Sequence, residues 1–207
     1  KYGQQHDQVL LDVLSDQLAA YGAEIVVARC RFLQQLEKWA ADLHYQISLN
    51  AEKLRLVYAT QLHVTAETTV DDAYQQLLTI YQENKRREID QGSTMFGPQR
   101  DDLRFMVNGK NVHSFGSQGQ QRTTALAVKL AEIDLMKEQT GEYPLLLLDD
   151  VLSELDTIRQ THLLTAIQNK VQTFLTTTSL SDVARQLINE PTIFNIKNGT
   201  LIKEETK

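Results

Sequence analysis

Apolar residues in the first quarter of the chain return every three or four positions. Val9, Leu10, Val13, Leu14, Leu18, Ile25, Val26, Phe32, Leu33, Leu36, Trp39, Ala40 and Leu43 trace a stripe over residues 7–47, with no proline and only Gly22 as an internal glycine. That spacing predicts helix. Forty helical residues would reach about 60 Å, so the pattern implies either a projecting arm or a break into two helical stretches at Tyr21-Gly22-Ala23. The break is the preferred expectation. Residues 53–58 alternate and favour β structure, which predicts a strand. Over 69–90 the helical period returns, with Thr69 placed to cap, Asp71 and Asp72 in the first turn, and Ala73, Leu77, Ile80 and Tyr81 along one face.

Composition shifts at Gln91-Gly92-Ser93-Thr94, which divides a mainly helical lobe, 1–91, from a second unit, 92–207. In that unit, residues 103–105 and 112–115 flank Asn108-Gly109, a hairpin signal. Helix is predicted over 119–139. Leu145-Leu146-Leu147-Leu148 has no helical period and reads as a strand buried on both faces, as in the centre of a parallel sheet. A helix over 156–169, a strand over 171–175, a helix over 181–189 and a closing hairpin about Asn198-Gly199 complete the pattern. Strand alternating with helix argues an α/β layer.

Composition narrows the partners. At 207 residues, 42% hydrophobic and 23% charged, the chain has ordinary globular values. Its one cysteine, Cys30, excludes an internal disulfide framework, fits a reducing cytosol, and reads as a buried structural thiol. No stretch reaches the ~18–20 apolar residues of a membrane span, so no membrane partner is expected. Net charge −6 does not advertise nucleic-acid binding. A local strip, Lys85-Arg86-Arg87, remains open between a solvated helix end and a contact with DNA phosphate. The histidines have no metal-ligand spacing, and zinc is unsupported. A helical pattern that starts almost at Lys1 reads as a piece of something longer.

Chemistry concentrates at two places. Asp149 and Asp150 follow the leucine run at the carboxyl end of the predicted strand, where open α/β sheets place ligands. Paired there, one carboxylate holds Mg²⁺ and the next polarises an attacking water. Upstream, Gly116-Ser117-Gln118-Gly119-Gln120-Gln121-Arg122 lies between a predicted strand and helix. Glycines let backbone amides approach an anion, free amides at a helix start attract phosphate, and Ser117 adds a hydroxyl. A flexible loop with an ordinary cap explains this turn equally well by itself; the acids downstream favour phosphate.

That order of elements resembles the ABC-type ATPases. Ser117-Gln118-Gly119-Gln120 resembles their signature motif, residues 145–150 their Walker B strand, and Ser153-Glu154-Leu155-Asp156 their D-loop. More narrowly, Phe96-Gly97-Pro98-Gln99-Arg100-Asp101-Asp102, the segment 116–123 and the segment 149–156 resemble the bacterial RecF family. In that family the second acid is Asp, and Thr176-Thr177-Thr178 stands where transporter ATPases carry a switch histidine. The resemblance covers essentially the whole chain and is most specific from residue 96 to about 180. Gln99 departs from it, at a position where many relatives are expected to carry His.

The resemblance implies the C-terminal part of an ABC-type ATPase head, a mostly parallel sheet with flanking helices, plus an elongated helical lobe. It implies ATP and Mg²⁺ as cofactors, with Asp149 holding the metal and Asp150 orienting water. Ser117, Gln118, Gly119 and Gln120 would meet the γ-phosphate of ATP on a partner subunit, and Ser153 and Asp156 would cross the interface of an ATP-dependent homodimer. Its implied partners are DNA and recombination mediator proteins, and its implied role is a repair ATPase that helps load recombinase and supports replication and the SOS response. No G-x-x-x-x-G-K-[ST] occurs in these residues. The family's P-loop is expected before this segment, so the segment alone is expected neither to bind ATP tightly nor to hydrolyse it. Two other readings stay open: the head of another chromosome-maintenance ATPase, which would need a longer heptad arm, and a partner-binding scaffold without activity.

Overall fold

Three separate cores are strung along one long helix. The computed structural model describes residues 2–168, 170–178, 187–188 and 191–206. In chain order these form α1 (Tyr2–Ile47), β1 (Leu54–Ala59), α2 (Val70–Gln91), β2 (Asp102–Val107), β3 (Lys110–Asn111), α3 (Val112–Phe115), α4 (Gln118–Thr140), β4 (Leu146–Asp149), a 3-10 turn (Val151–Glu154), α5 (Thr157–Ile167), β5 (Thr173–Thr176), β6 (Thr192–Lys197) and β7 (Thr200–Thr206).

The expected break in the first helix does not occur: α1 is continuous over 46 residues, about 69 Å. Packing explains why. Gly22 is a site of close approach, where an added Cβ would meet Leu77 Cδ1 at 3.0 Å and Pro98 Cδ at 3.4 Å. The missing side chain lets α2 and the 94–101 loop seat against α1. Around it Ala19, Ala23, Val26, Val27 and Cys30 bury against Ala73, Leu77 and Tyr81. One turn after another, α1 then enters a second core, where Leu36 and Ala40 meet Leu54, Leu56, Val107, Val128, Ala131 and Leu135. Its last residue, Ile47, reaches the third, built from Leu126, Ala127, Leu130 and Ile133 of α4 with Leu152, Leu163, Leu164 and Ile167. A helix anchored along its length by tertiary contact does not need propensity to bridge one glycine.

α2 follows its sequence pattern. Thr69 Oγ1 accepts from Asp72 N at 3.1 Å, Asp71 and Asp72 occupy the first turn, and Gly92 closes the helix at φ 64°. Lys85 pairs with Asp12, tying α2 to α1, while Arg86 and Arg87 are exposed. β1 pairs antiparallel with β2, from Leu54↔Val107 to Ala59↔Asp102. A strand from before residue 91 is therefore zipped to one from beyond 92. The hairpin turn at Asn108-Gly109 is present, with φ 49° and 79°, but the strand predicted over 112–115 is a single helical turn. The Asn111 side chain accepts from His113 N at 2.9 Å and caps α3, ending β3 after two residues.

β4 and β5 pair in parallel, with α5 as the crossover between them. The prediction that both faces of the leucine strand are buried is corrected. Leu146 and Leu148 pack on the third core, whereas Leu145 is 64% and Leu147 74% exposed. Among the described residues only β5 borders this strand and helices cover one face, so burial alternates. β6 and β7 form the closing hairpin about Asn198-Gly199. The helix predicted over 181–189 lies outside the described residues except for Leu187 and Ile188, which join the third core. Among the described residues no helix is long and apolar enough to cross a membrane.

Cys30 is buried in the first core. Burial, and then the nearby Asp101 carboxylate, push its thiol above the ordinary range. Because the thiolate is the reactive form, Ellman's reagent is expected to label the native protein at least ~10-fold more slowly than the urea-unfolded chain. Equal rates would show an accessible thiol.

Candidate active site

The parallel pair ends in a polar knot. Thr176, the last residue of β5, donates its hydroxyl to Asp149 Oδ1. The Asp150 amide donates to both Thr176 O at 3.1 Å and Thr176 Oγ1 at 3.0 Å. Asp150 stands in the left-handed region, φ 50° and ψ 21°, a conformation that Asp and Asn tolerate better than most residues. That twist turns the chain out of β4 into the 3-10 turn and leaves both carboxylates exposed. Ser153 Oγ closes the turn by donating to Asp150 O at 2.8 Å. A carboxylate beside a hydroxyl is a hard oxygen donor set, which suits Mg²⁺. Among the described residues no cluster of three His, Cys, Asp or Glu side chains could hold an ion unaided. Asp149 fits a site of the kind that substrate phosphates complete.

The turn before α4 is built as a helix start. Ser117 Oγ accepts from Gln120 N at 3.2 Å, and Gln120 Oε1 accepts from Ser117 N at 3.0 Å, a reciprocal capping box. Gln121 N bonds to Ser117 O at 2.9 Å. The amides of Gln118 and Gly119 therefore remain without a helical acceptor, facing outward at the positive end of a 23-residue helix. Ser117 and Gln118 are exposed and Gly119 half-buried. The Gln120 side chain turns away from solvent: its Nε2 donates to Glu52 Oε1 at 2.8 Å. Glu52 also stands 3.8 Å from His44 Nε2, and the same ring nitrogen lies 3.2 Å from Thr124 Oγ1. His44 is fully buried; burial lowers its pKa against the pull of Glu52. This polar chain joins the end of α1 to the turn at 117–120.

Asp156 caps α5, its Oδ1 accepting from Arg159 N at 2.9 Å. That backbone bond, opposed by partial burial and aided by the Arg159 guanidinium, holds the carboxyl below its ordinary range. Arg159 pairs with Asp156 Oδ2 and donates from Nε to Thr123 Oγ1 of α4 at 2.7 Å. Of these groups Glu52, His44 and Arg159 escaped the sequence reading. Asp-x-x-Arg after a cap was a visible signal for Arg159; nothing local pointed from residue 52 to residue 120.

The layout, a signature-like helix start, a parallel strand ending in paired acids and a helical arm, has the fold of the C-terminal part of an ABC/SMC-type ATPase head. A solved structure described as the SmcHead bound to the C-winged helix domain of ScpA superposes with TM-score 0.54 at 15% identity over 95% of this chain and 49% of its own, a likeness of fold alone. No family model matches the chain. The DNA replication and repair protein RecF of Limosilactobacillus reuteri (strain DSM 20016) is 76% identical over 207 residues, all of this chain and 55% of that protein. RecF of Pediococcus pentosaceus is 61% identical over 205 residues, 99% of this chain and 55% of that protein. A solved structure described as the recombination mediator protein RecF-ATPrS in the RecFOR pathway aligns with TM-score 0.78 and 33% identity over 94% of this chain and 50% of its own. The chain belongs to the RecF family, and spans about half the length of the curated relatives it matches.

Proposed function

We propose that this chain supplies one face of a RecF-type ATP site, in a DNA repair ATPase that closes into a homodimer around ATP. The observation that carries the proposal is the Thr176–Asp149–Asp150 knot at the end of a parallel strand, in a chain whose relatives include a RecF-ATP structure aligning at TM-score 0.79 and 32% identity. Asp149 would hold Mg²⁺, whose charge offsets that of the transferring phosphoryl group when it is bound. Asp150, free of side-chain hydrogen bonds among the described residues, would orient the attacking water. The outward amides of Gln118 and Gly119, with the Ser117 hydroxyl, would receive the γ-phosphate held by the other subunit. Gln120 acts there through its capping bond, and Ser153 and Asp156 would lie along the dimer seam. DNA, contacted in part by Arg86 and Arg87, and recombination mediator proteins are the proposed partners, with recombinase loading, replication and SOS support as the proposed role. The segment alone, without a P-loop, is proposed to be inactive.

The test is hydrolysis and DNA gel-shift on the full-length protein, wild type beside Asp149→Asn. The wild type is expected to hydrolyse ATP with Mg²⁺ and to shift gapped DNA more strongly with ATP. The variant is expected to need several-fold more Mg²⁺ for half-maximal turnover. A wild type that never hydrolyses ATP, or a variant with an unchanged Mg²⁺ requirement, would remove the assignment.

A further inference from the structure

We infer that Arg159 is a positioning residue that locks the turn at the head of α4 to the segment 153–156, so that both meet a second subunit as one rigid body. The inference rests on the function proposed above and adds to it a residue that assembles the face. Its basis is a three-way contact. The guanidinium keeps one arm on the Asp156 carboxylate of its own helix. It extends Nε to Thr123 Oγ1, 2.7 Å away on a helix 36 residues earlier in sequence. Thr123 is 1% exposed and lies one turn below Gly119, on the same side of α4. Gly119 makes room for the third arm: an added Cβ there would stand 3.2 Å from Arg159 Nη2.

Capping α5 does not require this reach, because the Arg159 backbone amide already satisfies Asp156 Oδ1. The side chain therefore does something beyond its own helix. Nor does it stand out as a bare cation for a ligand, since two of its three nitrogens are engaged within the chain and its side chain is only 30% exposed. A planar fork that holds a carboxylate and a hydroxyl at once fixes the relative placement of their two segments. Fixing them before association removes an ordering cost that each docking event would otherwise carry.

The experiment uses the full-length protein with Arg159→Ala, Arg159→Lys and Thr123→Val. ATP affinity is measured at protein concentrations that keep it monomeric, ATP-driven dimerisation by sedimentation, and kcat and KM by hydrolysis. Arg159→Ala is expected to leave monomer ATP affinity within about twofold while weakening dimerisation roughly 10-fold and lowering kcat at fixed protein by a similar factor. Lys keeps the charge but not the fork, so it should behave like Ala. Thr123→Val should show a smaller loss that vanishes in the Arg159→Ala background, the signature of coupled groups. Should Arg159→Ala fail to fold, the Lys and Val variants carry the test. Wild-type behaviour in Arg159→Lys would show that a point charge suffices and overturn the inference, as would reduced ATP affinity in the Arg159→Ala monomer. If the wild type dimerises on ATP and all variants match it, only the role of Arg159 falls; if the wild type itself shows no ATP-driven dimer, the proposed function falls with it.

Discussion

Asp150→Asn in the full-length protein is expected to keep ATP-driven dimerisation and to lower turnover by about 10²-fold, the scale of a lost group that orients or deprotonates a nucleophile. The structure makes this substitution unusually clean. Asp150 holds φ 50°, where Asn is tolerated nearly as well as Asp but alanine adds backbone strain of about 1 kcal/mol. Its contacts with Thr176 and Ser153 all run through its own backbone N–H and C=O, which Asn retains. Stability should therefore move by less than ~0.5 kcal/mol, as for an exposed side chain without partners. A turnover number within twofold of wild type, with folding and dimerisation intact, would take Asp150 out of the chemistry. Asp150→Ala, by contrast, would mix chemistry with a disturbed exit from β4.

How much of this was legible depended on whether the information is local. Thr69, Asp71, Asp72 and Gly92 announce α2 because capping acts within one turn. Asn108-Gly109 and Asn198-Gly199 announce hairpins because their positive φ values are demanded by the turns themselves. Gly22 misled for the opposite reason. As a local signal it weakens a helix, yet here its missing side chain is what admits Leu77 and Pro98. The sequence cannot show a partner helix some fifty residues away. Residues 112–115 misled similarly: their place after the Asn108-Gly109 turn suited the second strand of a hairpin until the Asn111 cap turned the backbone.

The candidate site divides along the same line. The acids at 149–150 and the Ser117–Gln120 turn stand out because phosphate chemistry needs those groups adjacent in sequence. Leu145 and Leu147 suggested a strand covered on both sides, since hydrophobicity reports what a strand can bury, whereas the described residues cover one face. Glu52 and His44 stayed hidden because an acid and a histidine near the end of α1 carry no mark of the hydrogen bond to Gln120 that gives them a place in the site. What the sequence lacked was the distant half of each such pair.

Gly97→Ala should be the most destabilising single-methyl substitution in the loop before β2, at about 2–6 kcal/mol. Two costs add. Gly97 holds φ 111°, where a Cβ is strained by roughly 1–3 kcal/mol. That Cβ would also stand 2.6 Å from Tyr81 Oη and 2.7 Å from Gln99 Oε1. Tyr81 cannot yield cheaply: it is 3% exposed in the first core, and burial, followed by Glu88 and Asp101, pushes its phenol up to about 12. Gln99 is held by its amide on Phe96 O at 2.7 Å, so the loop closes upon itself around the glycine. Arg29 clamps the same loop to α1 through Pro98 O, which makes any backbone shift at residue 97 pull on the α1–α2 core. Gly109→Ala supplies the control, since Gly109 also has positive φ, 79°, but nothing lies within 4 Å of its Cβ position. Urea unfolding of the two variants should separate strain, common to both, from the clash, which only residue 97 suffers and which is worth about 1–3 kcal/mol. Equal midpoints for Gly97→Ala and Gly109→Ala would mean that the loop relaxes freely and that Tyr81 is not the wall against which this motif is packed.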